Sequence, residues 1–494
     1  MSIGLRRTER LEAADLHSRA AALLDEGFSL ACVAAHDDVE ALRIVYVFIA
    51  PYPDRRVELS LSVDPRHAHV PTISDLSFAA SRFEREFHDT FGIVPDGHAF
   101  LRALVRHAHW PETWYPMREG AGAMPELPVR SPSYPFIEVA GGGVYEIPVG
   151  PIHAGLIEPG HFRFSVVGET IVKMTARLWF VHRGVERMFQ GLDPSQGVAL
   201  AERVSGDSAV GHALAYAMAI EDAWGVETSP DARALRSLLL EMERIYNHVT
   251  DLGAMANDVS FGVAHARAMS LRESLLRLNE SLTGHRLLRG AVTPGVTSLR
   301  RLPTKDEIAQ VANEFEQIVD FTLANTVVRD RFEGTAVLSR ADALAIGTLG
   351  VVARASGLEI DARREHPFAP RESVIPSLTQ TAGDVMARYT QRVQEVRLSL
   401  TLISEVIDQD PQLHSVVLPH APEANSGLSI VEGWRGMIVH RVELDAAQRL
   451  TRCRIVDPSF SNWPALSTSL ANTIVPDFPL ANKSFNLSYA GNDL

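Results

Sequence analysis

From Thr170 to about residue 408 the chain carries one amphipathic segment after another. In the first of these, apolar residues from Ile171 to Leu192 alternate steps of three and four, which predicts one continuous helix. Similar patterns predict further helices at about 200–224, 231–255, 265–289, 305–328, 340–356 and 381–408. Because a helix buries its apolar stripe best against other helices, several long ones in succession predict a helix bundle.

The first 118 residues have the pattern of a small α+β unit instead. The amphipathic segment Leu11–Leu24 predicts a helix, and the runs Leu42–Ile49 and Val57–Val63 are typical of strands bounded by turns. A second helix is predicted over Ser77–Phe91, where it stops at a glycine.

A segment rich in Gly, Pro and Ser at residues 119–135 predicts a linker between two parts of the chain. Beyond it, Gly143–Arg163 has the pattern of a β-hairpin, and Ser429–Glu443 returns to a strand-like pattern. The sequence therefore predicts an α+β fold: a small α+β domain at 1–118, then a helix-bundle-centred domain at 136–494 with small β-sheets.

Charge and cysteine content exclude several classes of function. The net charge of −14 argues against a nucleic-acid partner, since phosphate backbones are bound by clustered Lys and Arg, and against direct contact with an anionic membrane. Cys32 and Cys453 are too few to hold an iron–sulfur cluster or a structural zinc ion. The uncharged stretch Pro458–Pro476 is rich in Pro, Ser, Thr and Asn, which disfavours a membrane span, so a cytosolic location is predicted.

Two pairs of small polar residues share one spacing: Ser205 and Ser208, and Ser459 and Asn462. Taken alone, this spacing is that of ordinary helix-start and turn residues. The flanks, His182–Glu186 before the first pair and the tail after the second, resemble the large subunit of membrane-associated nickel–iron hydrogenases. In that family each pair is Cys-x-x-Cys and the thiolates hold the metals. Hydroxyl and amide groups do not supply such soft, deprotonated ligands. The chain is therefore predicted to hold no metal centre, and these residues to form a remodelled cavity wall.

The N-terminal part carries a second resemblance. Phe83–Ile93, followed by Trp114-Tyr115-Pro116, is similar to the small hydrophilic subunit of complex I that clamps the large one. In formate-hydrogenlyase-type hydrogenases this unit is fused to the large subunit. The resemblance covers nearly the whole chain and implies a fused pair of complex I hydrophilic subunits, in the variant that lacks the metal-ligand cysteines.

The predicted hairpin loop resembles the complex I loop that brings histidines to the quinone headgroup. His153 and His161 are the candidate ligands, and the spacing from the following strand favours His161. An imidazole suits this role because it can donate a hydrogen bond and pass a proton near neutral pH. The alternative is that both histidines cap turns or contact a neighbouring subunit.

Two further positions follow from the resemblance to complex I. The tyrosine that bonds the other quinone oxygen there corresponds to Gly206, which weakens the case for quinone reduction. Asp258 falls on the aspartate beside the quinone chamber, and Asp251 precedes it by seven residues on about the same helical face. A carboxyl group there can change protonation with the charge of the site. The alternative is a helix-end carboxylate paired with an arginine.

His212 and Glu186 complete the candidate residues. A helix would place His212 on one face with Ser205 and Ser208, and so on the cavity wall. The alternative is a core histidine whose hydrogen bonds are satisfied. Glu186 stands in an Arg-Gly-x-Glu context that moves protons in hydrogenases. Without a metal hydride it would join a polar network or pair with a neighbouring arginine, such as Arg183.

These observations predict a subunit of a membrane-associated, complex I-like oxidoreductase on the cytoplasmic face of the membrane. The resemblance implies an iron–sulfur small subunit and antiporter-like membrane subunits as partners, with membrane contact only through them. The polar cavity would reduce or sense a quinone-like acceptor and couple this to ion movement. The alternative is a scaffold whose cavity is filled with side chains. An active hydrogenase is disfavoured because the thiolates are missing. No dinucleotide or phosphate-loop motif is present, so nucleotide binding is not predicted.

Overall fold

The computed structural model describes residues 5–127, 134–154, 157–369, 372–417 and 425–494. Part of the predicted linker, 128–133, and two residues of the predicted hairpin loop, 155–156, lie outside these ranges. The domain boundaries at 118 and 136 stay predictions.

A four-stranded sheet forms the first unit, in the order β1-β4-β3-β2, with β1 parallel to β4 and the other pairs antiparallel. The predicted helices and strands of this unit are confirmed, with shifted ends. Gly92, at φ 72°, takes the left-handed conformation that ends the second helix. The elements are β1 (Leu5–Arg10), α1 (Leu16–Asp25), β2 (Ser29–Asp37), β3 (Leu42–Ala50), β4 (Arg55–Val63), β5 (His69–Pro71), α2 (Phe78–Phe91) and β6 (Val94–Asp96).

A three-stranded antiparallel sheet follows: β7 (Val144–Val149), β8 (His161–Val167) and β9 (Thr170–Arg177). The predicted hairpin is confirmed, but the helix predicted from Ile171 to Leu192 is wrong. Val172 is an extra residue in β9, because Ser165 pairs with Lys173 and Val166 with Ile171. This bulge turns Ile171 and Met174, three residues apart, toward the same buried side. The strand therefore shows the spacing of a helix.

The rest of the chain is a helical domain with two small sheets, as predicted. The helix α6 runs through its centre and packs against α7 and α13, while α5 lies on β13 and β14. The helices are α3 (Val185–Met188), α4 (Pro194–Ala201), α5 (Ala209–Trp224), α6 (Pro230–Asp258), α7 (Gly262–Thr283), α8 (Lys305–Leu323), α9 (Thr326–Phe332), α10 (Arg340–Ile346), α11 (Gly350–Ala355), α12 (Ala362–Glu365), α13 (Val385–Gln409), α14 (Pro458–Ser469), α15 (Phe478–Phe485) and α16 (Tyr489–Asp493). The strands are β10 (Val292–Thr293), β11 (Val296–Ser298), β12 (His414–Val416), β13 (Asn425–Gly433), β14 (Gly436–Leu444) and β15 (Leu450–Val456).

Buried ion pairs join the first unit to the helical domain. Arg441 on β14 donates to both carboxylate oxygens of Glu58 on β4, at 3.2 and 3.1 Å. The ring of His366, after α12, lies 2.8 Å from the carboxylate of Asp54. Because Arg441 and Glu58 are both largely shielded from water, separating the units would break a buried ion pair.

Within the described ranges, no helix is both long enough and apolar enough to cross a membrane.

Candidate functional site

The two polar pairs meet at the starts of two helices. Ser205 and Ser208 lie in the turn between α4 and α5, where Ser208 is the N-cap of α5. Ser459 and Asn462 lie in the first turn of α14, whose N-cap Asp457 accepts a hydrogen bond from the Ser459 amide at 2.7 Å. All four polar side chains of the pairs are buried, with at most 2% of each residue exposed.

Ser488 joins the two pairs. Its hydroxyl lies 2.8 Å from that of Ser205, and its amide donates to the Ser459 hydroxyl at 3.0 Å. Ser205 donates its own proton to Asp207 at 2.8 Å, so the proton between the two serines comes from Ser488. The Ser488 oxygen also accepts from the Gly491 amide at 2.8 Å. The serines are thus hydrogen-bonded to one another and to the backbone.

Asn462 is engaged differently. Its side-chain oxygen accepts from the amide of Leu349 at 2.8 Å, and its amide nitrogen donates to the carbonyl of the same residue at 3.1 Å. Leu349 is the N-cap residue of α11, and its amide has no hydrogen-bond partner within that helix. The Asn462 side chain supplies this partner. This geometry requires an amide, which has both a donor and an acceptor.

An ion pair closes the site beside the first pair of serines. Arg435, in the turn between β13 and β14, donates to both carboxylate oxygens of Asp207 at 2.7 and 2.6 Å. Burial alone would raise the pKa of Asp207, but the Arg435 guanidinium and the Ser205 hydroxyl lower it. Arg435 also reaches Ser208 at 3.4 Å and the carbonyl of Asn486 at 2.6 Å. The carboxylate is therefore ionised at neutral pH.

Two histidines extend the site on the other side. The Nε2 of His212 lies 3.0 Å from Asp457, and its Nδ1 lies 3.0 Å from the Nε2 of His440. Burial tends to raise the pKa of Asp457, but the hydrogen bond from His212 lowers it. Burial and the neighbouring His212 hold the pKa of His440 well below its usual range, so this ring is neutral. Its Nδ1 has no hydrogen-bond partner within the described part of the chain.

The carboxylate of Asp251 in α6 continues the chain of hydrogen bonds. It accepts from the side chain of Asn486 at 2.7 Å and from Arg392 at 3.0 Å, and Lys483 lies 3.7 Å away. Since Arg435 binds the carbonyl of Asn486, Asp251 is linked to the serines through two residues. We call this set, from Asp251 through Arg435, Asp207 and the serines to His212 and His440, the buried polar chain.

Asp258 does not take part in the buried polar chain. It is exposed at the C-terminal end of α6, near Lys483 and His265, whose charges act on it. Asp251 is buried and Asp258 exposed, although both lie on α6 and both interact with Lys483. The role of Asp258 at a redox cavity stays a prediction.

Gly206 lies exposed between the two serines. A Cβ atom built on it would meet no other heavy atom within 4 Å. Its lack of a side chain is therefore not required by packing.

The two hairpin histidines hold the loop together. The Nε2 of His153 lies 2.8 Å from the carbonyl of Gly160, and the Nδ1 of His161 lies 3.0 Å from the carbonyl of Gly150. A carbonyl only accepts, so each of these nitrogens carries a proton and the other nitrogen of each neutral ring is left as an acceptor. These bonds agree with the predicted alternative, in which the histidines fix turns, but they use only one nitrogen of each ring.

The hairpin is tied to the serine site through α16. Glu158 accepts a hydrogen bond from the amide of Ala490 at 3.1 Å, and Gly160 packs so closely on Tyr489 that a Cβ would lie 2.6 Å from its ring. The adjoining residue is Ser488, which bridges the serines. The loop with the histidines and the buried polar chain thus share one short segment.

Glu186 pairs with arginines of β15 and not with its sequence neighbours. Arg452 lies 2.7 Å and Arg454 3.0 Å from its carboxylate, which also accepts from the amide of Ile455. Burial raises the pKa of Glu186, and the two arginines outweigh this and lower it. It lines a cavity of about 70 Å³ between the first unit and the helical domain, together with His182.

A nickel–iron centre, which the resemblance to hydrogenases implies, does not fit this donor set. The side chains at the four positions are hydroxyls and an amide, and each already contacts protein groups. Low-valent nickel and iron need thiolates there. Among the described residues, no group of three or more His, Cys, Asp and Glu is arranged to hold a metal ion.

Sequence reasoning missed four members of the buried polar chain: Asp207, Arg435, His440 and Ser488. Ser488 and Arg435 follow no spacing motif, and His440 stands in a strand whose pattern is that of the core. The sequence gives one weak signal for Arg435: it lies in a Trp-Arg-Gly turn between two apolar strands, where a buried charge needs a partner of opposite charge. Ser488 has no signal of its own.

Comparison with known proteins agrees with this architecture. The model of the respiratory-chain NADH dehydrogenase 30-kDa subunit matches residues 10–123, that of the 49-kDa subunit matches 258–424, and that of nickel-dependent hydrogenases matches 183–254. The predicted resemblance is thereby confirmed.

Individual relatives extend over most of the chain. Hydrogenase-4 component G of Escherichia coli is 32% identical, over 87% of this chain and 77% of its own. The C/D fusion protein of NADH-quinone oxidoreductase from Bacteroides fragilis is 30% identical, over 80% of each chain. A solved chain of the membrane-bound sulfane sulfur reductase, an archaeal respiratory membrane complex, superposes with a TM-score of 0.64 at 25% identity, over 71% of this chain and 99% of its own. The chain therefore belongs to the family of complex I-type proteins, related to nickel–iron hydrogenase large subunits, in which a 30-kDa-type and a 49-kDa-type subunit are joined in one polypeptide.

Proposed function

We propose that this protein is a peripheral subunit of a membrane-associated, complex I-like energy-converting oxidoreductase, and that it has no hydrogenase activity of its own. One observation carries the second part: where the family's hydrogenases hold metal, hydroxyl and amide groups here are buried and hydrogen-bonded to protein. In the proposed complex, a partner small subunit supplies the iron–sulfur cluster, and antiporter-like partners form the membrane arm, on whose cytoplasmic face this subunit lies.

The proposed acceptor is quinone-like, and it would meet the hairpin loop and not the serines. The serines have little hydrogen-bonding capacity left, whereas His153 and His161 each keep one ring nitrogen beyond the bond that holds the loop. Both rings are only half-buried. His161 also lies beside Phe136, with the two ring centres 5.4 Å apart, so an apolar surface adjoins its nitrogen. A neutral ring offers this nitrogen as an acceptor to the O–H of a reduced quinone, and a protonated ring donates from it to a quinone carbonyl oxygen, while the flat apolar ring of the headgroup matches Phe136.

The buried polar chain would then couple the charge of that site to Asp251 and Lys483. A hydrogen-bonded series in a low-dielectric interior transmits a change in charge more strongly than the same groups would in water. Asp258 would act on the buried polar chain from the protein surface, because its carboxyl group interacts electrostatically with Lys483.

The test is quinone-dependent turnover by the purified complex. We expect His161→Ala and Asp258→Asn to reduce the rate at least about tenfold, while His17→Ala, at an exposed histidine of the first unit, leaves it unchanged. Gly206→Tyr fits without a clash at the Cβ and is expected to raise quinone turnover. Unchanged rates in both His161→Ala and Asp258→Asn would remove these roles.

The second candidate is a scaffold that only joins the protein holding the cluster to the membrane arm. Complete hydrogen bonding of Asn462 and the serines favours it, because a closed core suits a structural role. In that case all of the variants above would assemble and none would change turnover. Tightly bound nickel and iron in the purified protein, at one of each per chain, would contradict both candidates.

A further inference from the structure

A pocket of about 270 Å³, which adjoins the hairpin at Phe136, is lined in part by basic side chains. Arg82 and Arg85 come from α2, Arg102 from the loop after β6, and Lys173 and Arg177 from β9. No Asp or Glu side chain is among the described residues that line it. Five cationic groups therefore surround one small volume.

Arg82 is the least compensated of these cations. Only 9% of the residue is exposed, and its Nε has no hydrogen-bond partner within the described part of the chain. Its one described hydrogen bond is a long one, 3.4 Å to the side-chain oxygen of Asn492. The guanidinium instead lies over the ring of Phe460, 4.6 Å from its centre. A buried guanidinium normally has a carboxylate or several carbonyls as partners.

Its neighbours Arg85 and Arg177 bind only neutral groups. Arg85 donates to the carbonyls of Arg102 and Ala103, at 2.7 and 3.2 Å. Arg177 donates to the carbonyls of Leu104 and Arg106, and its buried Nε has no partner in the described ranges. These bonds fix the two guanidinium groups at the wall without neutralising them.

The carboxylates nearest to the pocket are occupied elsewhere. Glu86 is bidentate with Arg454, whereas Asp89 accepts from three backbone amides and Asp493 from the amide of Val181. Neutral amides leave the charge of these two carboxylates in place, and it acts on Arg85 and Arg177 from outside the lining, but two carboxylates do not balance five cations. Burial and then the charge of Arg85 lower the pKa of Arg82 to about 9. The pocket therefore has an excess of positive charge that an anion would neutralise.

The rim of the pocket is apolar and open to solvent. Phe78, Phe100 and Ile137 line it, and between 43% and 46% of each residue is exposed. The guanidinium of Arg102 lies over the Phe100 ring, 4.4 Å from its centre, so the apolar rim adjoins the basic interior directly. A ligand with an anionic head and an apolar body matches this order of surfaces.

We infer that this pocket binds a phosphate group whose carrier has an apolar portion lying on the rim. A phosphate monoester or diester offers more peripheral oxygens and more charge than a single carboxylate, and guanidinium forks match its geometry. Two carriers share this chemistry, an anionic phospholipid and a soluble phosphate ester. The inference does not rest on the proposed function: the pocket shares Phe136 with the proposed quinone surface, but the argument uses neither the hairpin histidines nor the buried polar chain.

The test uses the full-length chain and two probes. Binding of inorganic phosphate is measured by titration calorimetry at constant ionic strength. Binding of vesicles is measured by flotation, with phosphatidylglycerol in phosphatidylcholine compared against phosphatidylcholine alone. Lys173→Gln removes one half-buried cation of the pocket that has no role in the fold's ion pairs within the described residues. Lys305→Gln, whose ammonium pairs with Asp408 at the surface, removes the same charge elsewhere and is the matched control.

We expect saturable phosphate binding that Lys173→Gln weakens about tenfold and Lys305→Gln leaves unchanged, as for one lost charge-assisted hydrogen bond. Phosphatidylglycerol binding with the same dependence on Lys173 would identify a lipid as the carrier. Phosphate binding without vesicle binding would identify a soluble ester. No saturable binding of either probe, or binding that is equal in the two variants, would overturn the inference. Circular dichroism of both variants checks that they are folded.

Discussion

Replacing Asn462 tests whether a position that corresponds, by the resemblance to hydrogenases, to a metal ligand is part of the protein's framework. The side chain is fully buried and makes two hydrogen bonds to the backbone of Leu349, at 2.8 and 3.1 Å. Asn462→Cys restores the residue type of the hydrogenases, and Asn462→Ala removes the polar group altogether. Either change removes both bonds, which leaves the Leu349 amide unpaired and its carbonyl with only a long bond, 3.4 Å, from the amide of Ala353. With about 1 kcal/mol for each bond and a further penalty for unpaired groups, we expect a loss of about 2–4 kcal/mol.

Hydrogen exchange of the Leu349 amide, followed by mass spectrometry, measures this loss locally. A cost of about 2 kcal/mol corresponds to exchange about 30 times faster at that amide. The midpoint of unfolding in guanidinium chloride should fall in both variants with an unchanged slope. Asn257→Ala, at an exposed position in α6, is the control and should change neither quantity. Exchange at Leu349 within about threefold of the wild type, in both variants, would refute this reasoning.

Three further changes test other parts of the structure. Burial raises the pKa of the Cys32 thiol to about 12 and that of Cys453 well above its ordinary value, so we expect neither to react with a disulfide reagent at pH 8 until the protein unfolds. Arg441→Met leaves Glu58 buried without its closest cation and should cost about 3–5 kcal/mol in a denaturant titration, part of which Glu58→Gln recovers. Burial alone would raise the pKa of Asp54, but hydrogen bonds from a histidine and an arginine lower it to about 2 from 3.8. Asp54 thus contributes about 2 kcal/mol above pH 4, which is lost as the pH falls toward 2, and a titration of Asp54→Asn should lack this part of the acid dependence.

The architecture was predictable where local pattern and tertiary packing agree, and two elements show where they do not. The stripe from Ile171 to Leu192 predicts a helix, yet a bulge at Val172 gives a strand the same three-residue spacing. The single helix predicted over 340–356 is two, α10 and α11. Gly347 and Gly350 both take positive φ, and Gly350 packs so closely on Arg435 that no side chain fits. The spacing of apolar residues indicates which residues are buried, but not whether a helix or a bulged strand buries them.

The candidate site was predictable as a set of positions but not as a set of contacts. The spacing of Ser205, Ser208 and His212 predicts one helical face, but in the structure Ser205 lies in the turn before α5, Ser208 is its N-cap and only His212 lies within the helix. The partner of Ser205 is Ser488, 283 residues further on, and no local pattern specifies such a contact. The same holds for the ion pair of Arg435 with Asp207. It forms only because the turn between β13 and β14 packs against the turn between α4 and α5. Chemistry at a position can be read from its residue type, whereas its hydrogen-bond partners come from topology.

The bridging role of Ser488 also sets an order for folding. Loop-closure entropy makes contacts across long stretches of chain late events. Until the segment around Ser488 docks, the hydroxyls of Ser205 and Ser459 face water in a half-made cleft. During synthesis on the ribosome, the Ser205 side of this cleft would stay exposed while the 283 residues up to Ser488 are added, an interval in which a chaperone or a partner protein has access to it.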